Sequence, residues 1–298
     1  MAFMRNSVLL LLALGATVPA AAQNFDSVQI RTVPLSSGLA MLMGAGGNMA
    51  VSWGSDGTFL VDDQFAPLTP KIVAAIGKLT QNPVRWVANT HFHGDHSGGN
   101  ENFGTAGAII VAHENVRRRM STEQFSKLFN RSTPASPKVA LPIVTFSDQV
   151  SFHQNGEEIA VFHVNNAHTD GDAIIWFKNA NVVHMGDTYF KERYPFIDVD
   201  GGGSIDGIIA AADRVLSAID NNTKVIPGHG ELSNKAELAE YRNVMVAARD
   251  RGKKLIAEGK TLEQAIAAKP LAEYDGKWGT GFIKPDIFLR LIYASYGK

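Results

Sequence analysis

Cysteine is absent from all 298 residues. No disulfide framework is available, so stability has to come from the core and from any bound metal. Long apolar runs are almost lacking as well. After Val8–Leu14 no comparable stretch follows, and that run is too short to span a bilayer. Charge of one sign is not in excess either. The formal net charge is −1 and 19% of the residues are charged, whereas a nucleic-acid reader normally displays a basic stripe. The one dense cationic cluster, Arg117-Arg118-Arg119, reads as a solvated helix face. A nucleic-acid partner is therefore not expected, and a small-molecule substrate is.

The short apolar run has a purpose of its own. It follows a segment carrying Arg5 and is closed by Gly15, Pro19 and the small residues Ala20-Ala21-Ala22. A basic start, an apolar centre and an A-x-A end form the pattern that signal peptidase cuts. The expectation is a signal peptide over 1–22 and a mature chain of one domain over 23–298. That chain would be periplasmic or secreted, with no integral membrane segment once the leader is removed. No cysteine at the cut excludes a lipid anchor there.

Hydrophobic periodicity divides the rest. Strand-like runs fall at 39–43, 50–53 and 58–61, separated by glycine-rich turns at 44–47 and 54–57. A helix is expected over 69–79, with Pro70 in its first turn as helix starts favour. Val84–Ala88 is a buried strand, followed by strand 109–111 and helix 114–120. The stretch 130–142, with Pro134, Pro137 and Pro142, reads as a loop. Strands resume at 149–152, 159–164, 173–177, 182–185 and 224–226, with helices at 205–219, 235–258, 261–268 and 285–296. Groups of strands with helices outside them suggest an α+β fold, an αββα four-layer sandwich.

The most informative hexapeptide is His91-Phe92-His93-Gly94-Asp95-His96. Four side chains able to bind a metal lie at i, i+2, i+4 and i+5, directly after an apolar strand. In a loop they can splay into two groups, which one helix face would not permit. Imidazole is a good zinc ligand and a carboxylate complements it. An exposed histidine-rich loop with incidental metal affinity is the bland alternative. It fails to explain why further ligand types recur at strand ends: His168 in Asn166-Ala167-His168-Thr169-Asp170-Gly171-Asp172, Asp187 in Gly186-Asp187-Thr188, and His229 in Pro227-Gly228-His229-Gly230.

These motifs and their order resemble the metallo-β-lactamase superfamily, with its H-x-H-x-D-H signature, over roughly residues 39–231. The resemblance implies that His91, His93 and His168 hold one zinc ion, that Asp95, His96 and His229 hold a second, and that Asp187 bridges the two. It also implies the αββα sandwich and a hydrolase in which a hydroxide shared by two Zn2+ ions attacks a carbonyl, with Asp95 as the catalytic residue that orients the nucleophile and takes up its proton. Two departures refine this. β-Lactamases with a cysteine on the second zinc carry it where this chain has Asp187, which instead resembles glyoxalase II and lactonases. The diiron members replace the second histidine by glutamate, and here it is His93. The leading expectation is hydrolysis of a carbonyl substrate, with weak β-lactamase activity, and the alternative is a lactonase, esterase or thioesterase. A metal-binding accessory protein of an exported redox system is the non-enzymatic alternative.

Other residues carry two readings each. The segment 44–49, with Met41, Met43 and Trp53 around it, is either a mobile flap over the site or an ordinary edge hairpin. Tyr189, Lys191, Arg193 and Tyr194 follow Asp187 closely enough to reach a substrate. His184, His113, His153 and His163 read as core histidines. Gly201-Gly202-Gly203 lacks the lysine of a phosphate-binding loop and reads as a turn into an N-capped helix.

Overall fold

The computed structural model describes residues 24–297; the expected signal peptide and the expected mature start at Gln23 lie outside the described residues. Strands β1 (Arg31–Ser36), β2 (Leu39–Met43), β3 (Met49–Gly54) and β4 (Gly57–Val61) form an antiparallel run. It continues in parallel through β5 (Val84–Ala88) and β6 (Ile109–His113). A small antiparallel hairpin, β7 (Gln124–Ser126) and β8 (Arg131–Thr133), stands apart, and β9 (Val144–Phe146) closes the first sheet in parallel beside β6. The second sheet holds β10 (Gln149–Gln154), β11 (Glu157–His163), β12 (Ala173–Phe177), β13 (Val182–His184), β14 (Lys224–Ile226) and β15 (Ser233–Asn234) in that order.

Alternation along the strands explains the layers. Side chains on successive strand residues point to opposite faces, so in β4 Phe59 and Val61 join the cluster between the sheets while Leu60 faces outward. In β12 Ile175 joins the same inner cluster and Ile174 faces outward. Each sheet thus has an outer apolar face that needs a cover. On the first sheet it is α1 (Thr69–Ile76) and α3 (Asn100–Thr105), through Ile72, Ile76 and Phe103. On the second it is α5 (Ile205–Ala218), α6 (Lys235–Ala257) and α9 (Pro285–Ser295), through Ile208, Met245 and Phe288. The expected four-layer α+β architecture is what results. Short helices α2 (Gly94–Ser97), α4 (Glu114–Met120), α7 (Leu262–Ala267) and α8 (Ala272–Trp278) complete the chain. Among the described residues no helix is long and apolar enough to cross a membrane.

Several local expectations are corrected. The stretch 130–142 contains β8 and a turn of 3-10 helix at Lys138–Ala140. Helix α1 stops at Ile76 rather than at Leu79, with Gly77 as its C-cap and 77–79 continuing as turns bonded back to Ala75 O and Ile76 O. His153 is exposed on β10 instead of sitting in the core. Two members of the arginine cluster are not simply solvated: Arg119 Nε and Nη2 donate to both Asp170 oxygens, at 2.7 and 2.8 Å, and Arg117 donates to Pro142 O. The Gly201–Gly203 turn does lead into a capped helix, with Ser204 Oγ accepting from Gly207 N at 3.0 Å.

Candidate metal centre

The hexapeptide leaves the C-terminal end of β5, His168 lies in the loop between β11 and β12, Asp187 follows β13, and His229 follows β14. These strand ends come together. The ligand-type atoms of His91, His93 and His168 lie within 4.8 Å of one another, as do those of Asp95, His96 and His229, and those of His91, His96 and Asp187. Asp187 stands between the two trios: its oxygens are 3.0 Å from His96 Nε2, 3.3 Å from His229 Nε2 and 3.6 Å from His168 Nε2. Every candidate ligand named from the sequence is therefore in this one cluster.

Hydrogen bonds decide which nitrogen of each imidazole faces inward, since the ring nitrogen that donates elsewhere leaves a lone pair on the other. Thr90 Oγ1 donates to Asp62 Oδ2 at 2.7 Å, so its oxygen accepts from His91 Nδ1 at 3.0 Å. His93 Nε2 donates to Asp198 Oδ2 at 2.9 Å, His168 Nδ1 to Phe196 O at 2.8 Å, and His96 Nδ1 to Asp62 Oδ2 at 2.7 Å. The remaining nitrogens all aim into one space. His93 Nδ1 and His168 Nε2 face each other 2.9 Å apart, lone pair to lone pair. His91 Nε2 and Asp187 Oδ1 are buried with no hydrogen-bond partner. Such an arrangement is repulsive unless a cation is shared among the donors, and buried polar atoms otherwise find partners. The residues fit a metal.

Electrostatics divides the cluster: burial would lower His96, but Asp187, Asp95 and Asp62 hold it well above the usual imidazole range. Burial, then the neighbouring His96 and His168, hold His91 well below the usual imidazole range, as a neutral ligand requires. Burial likewise brings His168 down to about 4 against the pull of Asp187. Burial would also lower His229, but Asp187 and Asp95 raise it to about 9. Burial pushes Asp95 up, yet His96 and His229 outweigh it and bring its carboxyl to about 2. The carboxylate end of the cluster thus draws positive charge.

The support is built into the backbone. Asp62 and Gln64 adopt φ of 57° and 55°, a left-handed conformation that costs free energy for residues other than glycine and clusters at functional sites. It turns the chain after β4 so that Asp62 lies beneath both trios. A Cβ on Gly47 would sit 2.1 Å from His96 Cε1, and one on Gly228 would sit 2.0 Å from Asp187 Oδ1; only glycine fits at either position. Segment 44–49 is tied to the site in its second half: Gly47 N donates to Asp95 O, and Asn48 Nδ2 donates to Pro227 O and Gly230 O at 2.8 Å each. His184, as expected, is core; its Nε2 bonds Asn48 O at 2.9 Å.

Three of the candidate substrate contacts are used structurally. Tyr189 is buried with its hydroxyl 2.8 Å from Ser233 Oγ, Tyr194 donates to Asp275 Oδ1 at 2.8 Å, and Lys191 Nζ donates to Glu237 and to Leu232 O, both at 3.0 Å. Arg193 lines a cavity of about 610 Å³ beside Gly230, together with Lys191, Glu231, Lys277 and Thr280. Asp62, Asp198 and Asp172 were not singled out from sequence. Asp172 accepts from His168 N, Thr169 N and Thr169 Oγ1, and burial still raises it to about 7. Its signal was present in the motif that holds His168, and that of Asp62 in the acidic pair closing β4. Asp198 has no local signature.

The family model described as the metallo-beta-lactamase superfamily matches residues 44–229. The chain belongs to this superfamily. Its members usually bind metal ions, and the cluster is a histidine-rich candidate site of that kind within a metallo-hydrolase fold. Among solved structures, the DIM-1 metallo-beta-lactamase is similar at 19% identity and a TM-score of 0.60, covering 74% of this chain and 100% of that one. A metallo-beta-lactamase from Pontibacter korlensis gives 16% and 0.61, covering 73% and 99%. The inverting sec-alkylsulfatase Pisa1 from Pseudomonas sp. gives 18% and 0.69, covering 90% of this chain but 50% of its own. At these identities they establish a shared fold.

Proposed function

We propose that the protein is an exported hydrolase that binds two zinc ions and cleaves a small carbonyl substrate. Lactones and esters are its better substrates and β-lactams its weaker ones. The observation that carries the reading is the placement of Asp187. A buried carboxylate stands between two trios of ligand-type side chains, which supports His91, His93 and His168 for one ion, Asp95, His96 and His229 for the other, and Asp187 for both. Bound zinc supplies Lewis acidity, lowering the pKa of a water and polarising a carbonyl.

The chain's own residues do the rest. Asp95 has a side chain 27% exposed while His91, His96 and His168 are fully buried, so its free edge faces the incoming substrate. It is a carboxylate at neutral pH, placed to orient an attacking water and take up its proton. His93 and His229, at 20% and 21%, form the remaining accessible rim. A hard carboxylate at position 187 in place of a thiolate favours two metals held close together, suited to small acyl groups. An alkoxide leaves more easily than an amide nitrogen, and Lys191 is committed to Glu237 rather than free to hold a β-lactam carboxylate. The signal-peptide pattern of the leader supports export.

The test is a side-by-side kcat/KM comparison of zinc-loaded protein on a cephalosporin, a penicillin, a lactone, an aryl ester, a thioester and a phosphodiester. Highest efficiency on lactone or ester is expected. β-Lactam efficiency of roughly 10⁶ M⁻¹s⁻¹ or more, well inside the evolved-enzyme range, would overturn the substrate order.

A further inference from the structure

We propose that Phe196, Phe129 and Phe282 form an aromatic wall beside the metal centre that receives the apolar group, alkyl or aryl, of the substrate. This rests on reading the cluster as a hydrolytic metal centre, and it names the part of the substrate that the metal does not hold.

The three rings come from separate segments and meet in sequence. Phe196 stacks on His93, the accessible member of its trio, with centroids 5.8 Å apart and planes at 27°, and presents its edge to His168 at 5.6 Å. Phe129 lies 5.2 Å beyond Phe196, and Phe282 a further 5.7 Å beyond Phe129. A continuous row of ring carbon therefore runs from the metal ligands outward. Its outer members are open to water: Phe129 is 43% exposed and Phe282 76%. Isolated exposed apolar residues need no explanation, but a contiguous apolar strip that leads into a polar cluster is the usual form of a ligand site.

The rings are held where they are. The β7–β8 hairpin that carries Phe129 is tied to the 198–202 loop by Lys127, whose backbone N donates to Asp200 Oδ2 at 2.8 Å and whose Nζ pairs with Asp200 Oδ1 at 3.1 Å. Leu128 packs on the core beneath the second sheet, and Ile283, next to Phe282, is buried in the same core. Phe129 and Phe196 lie within the span matched by the family model and Phe282 beyond it, with Phe129 in a hairpin outside both main sheets. Among the described residues no arginine or lysine stacks on these three rings, which favours an uncharged tail over an anionic one. The row is narrow and ends at the ligands, which suits a small molecule better than a protein face.

The test uses n-alkylphosphonates, from methyl to decyl, binding to zinc-loaded full-length protein of verified metal content, measured by titration calorimetry. Each methylene laid on the wall should lower Kd about threefold. In the Phe129→Ala/Phe282→Ala double variant the gain should shrink to less than about 1.5-fold per methylene, with Phe282→Ala alone intermediate. Because Phe282 is so exposed, the single variant reports on binding even if the double variant folds poorly. A Kd independent of chain length, or an unchanged slope in the variants, overturns the wall. A parallel series of p-nitrophenyl alkanoates separates the two claims. Chain-length-dependent binding without hydrolysis of any ester leaves the wall standing and overturns the hydrolase reading alone.

Discussion

His91, His93 and His168 on one side, and Asp95, His96 and His229 on the other, use the same kinds of donor but are held in different ways. In the first trio every imidazole has its outward nitrogen engaged, by Thr90, Asp198 and Phe196 O respectively. In the second, only His96 is braced in this way, by Asp62. His229 is positioned through its backbone, with Asn48 gripping the carbonyls on either side of it and Phe190 stacked on its ring at 5.1 Å. Fixing the outer nitrogen orients a metal-binding imidazole and raises its basicity. The contrast therefore separates a trio braced at every imidazole from one braced at His96 alone.

The largest expected effect concerns the less braced trio. Asp95→Asn should leave the fold intact and lower kcat by about 10²–10⁴-fold, the usual worth of a positioned general base, with a much smaller change in KM. Its action on the nucleophile belongs to the transition state. Near-normal kcat in a metal-replete variant would remove Asp95 from the mechanism and leave the less braced trio with no catalytic distinction.

Next come the braces. Asp198→Asn should weaken only the ion at His91, His93 and His168, by about 10–100-fold in affinity. Asp62→Asn should weaken both ions, because Asp62 Oδ2 receives His96 Nδ1 and also the Thr90 hydroxyl that orients His91. Metal-competition titrations distinguish the patterns. Equal weakening of both ions by Asp198→Asn would show that the two sites are not independently supported.

Much of this was legible in the sequence, for identifiable reasons. A strand buried on both faces, such as Ala173–Phe177, announces itself as an unbroken apolar run, and its observed bounds match the expected ones. Val84–Ala88 also keeps its expected bounds, but only Val87 and Ala88 are buried and Arg85 is exposed. The candidate ligands lie beyond the ends of strands. What stayed hidden depends on contacts between distant segments. Nothing near Asp198 in sequence says that it bonds His93, a residue 105 positions away. Short edge strands such as β8, fully exposed, carry no burial pattern. Tyr189 and Lys191 sit close to Asp187 in sequence, yet the chain turns their polar ends toward Ser233 and Glu237.

The smallest effect reaches the fully braced trio indirectly. His113 Nδ1 accepts from Asn115 N at the start of α4, its Nε2 donates to Ser147 O, and its ring stacks on His163 with centroids 3.8 Å apart. Helix α4 in turn grips Asp170, in the loop of His168, through Asn115 and Arg119. Burial, reinforced by His163, lowers the pKa of His113 below 6.5, while Ser147 O, Glu114 and Asp170 pull it the other way. The unfolded chain then binds the proton more readily than the native one, so the stabilisation is complete above pH 6.5 and is lost as pH falls toward the folded pKa. Thermal melts should show Tm declining over that window, less steeply in His113→Gln. An identical acid dependence in the variant would acquit the stacked pair.

The central claim is that one cluster holds two metal ions with Asp187 between them. Anomalous diffraction at the zinc edge, from crystals of zinc-loaded protein, tests it directly. The account predicts two peaks at full loading. One should lie about 2.0–2.1 Å from His91 Nε2, His93 Nδ1 and His168 Nε2, and the other at that range from His96 Nε2 and His229 Nε2, beside Asp95. Asp187 should reach both, and at limiting zinc the first peak should be the stronger. A single peak at full loading, or zinc bound away from these side chains, would contradict it.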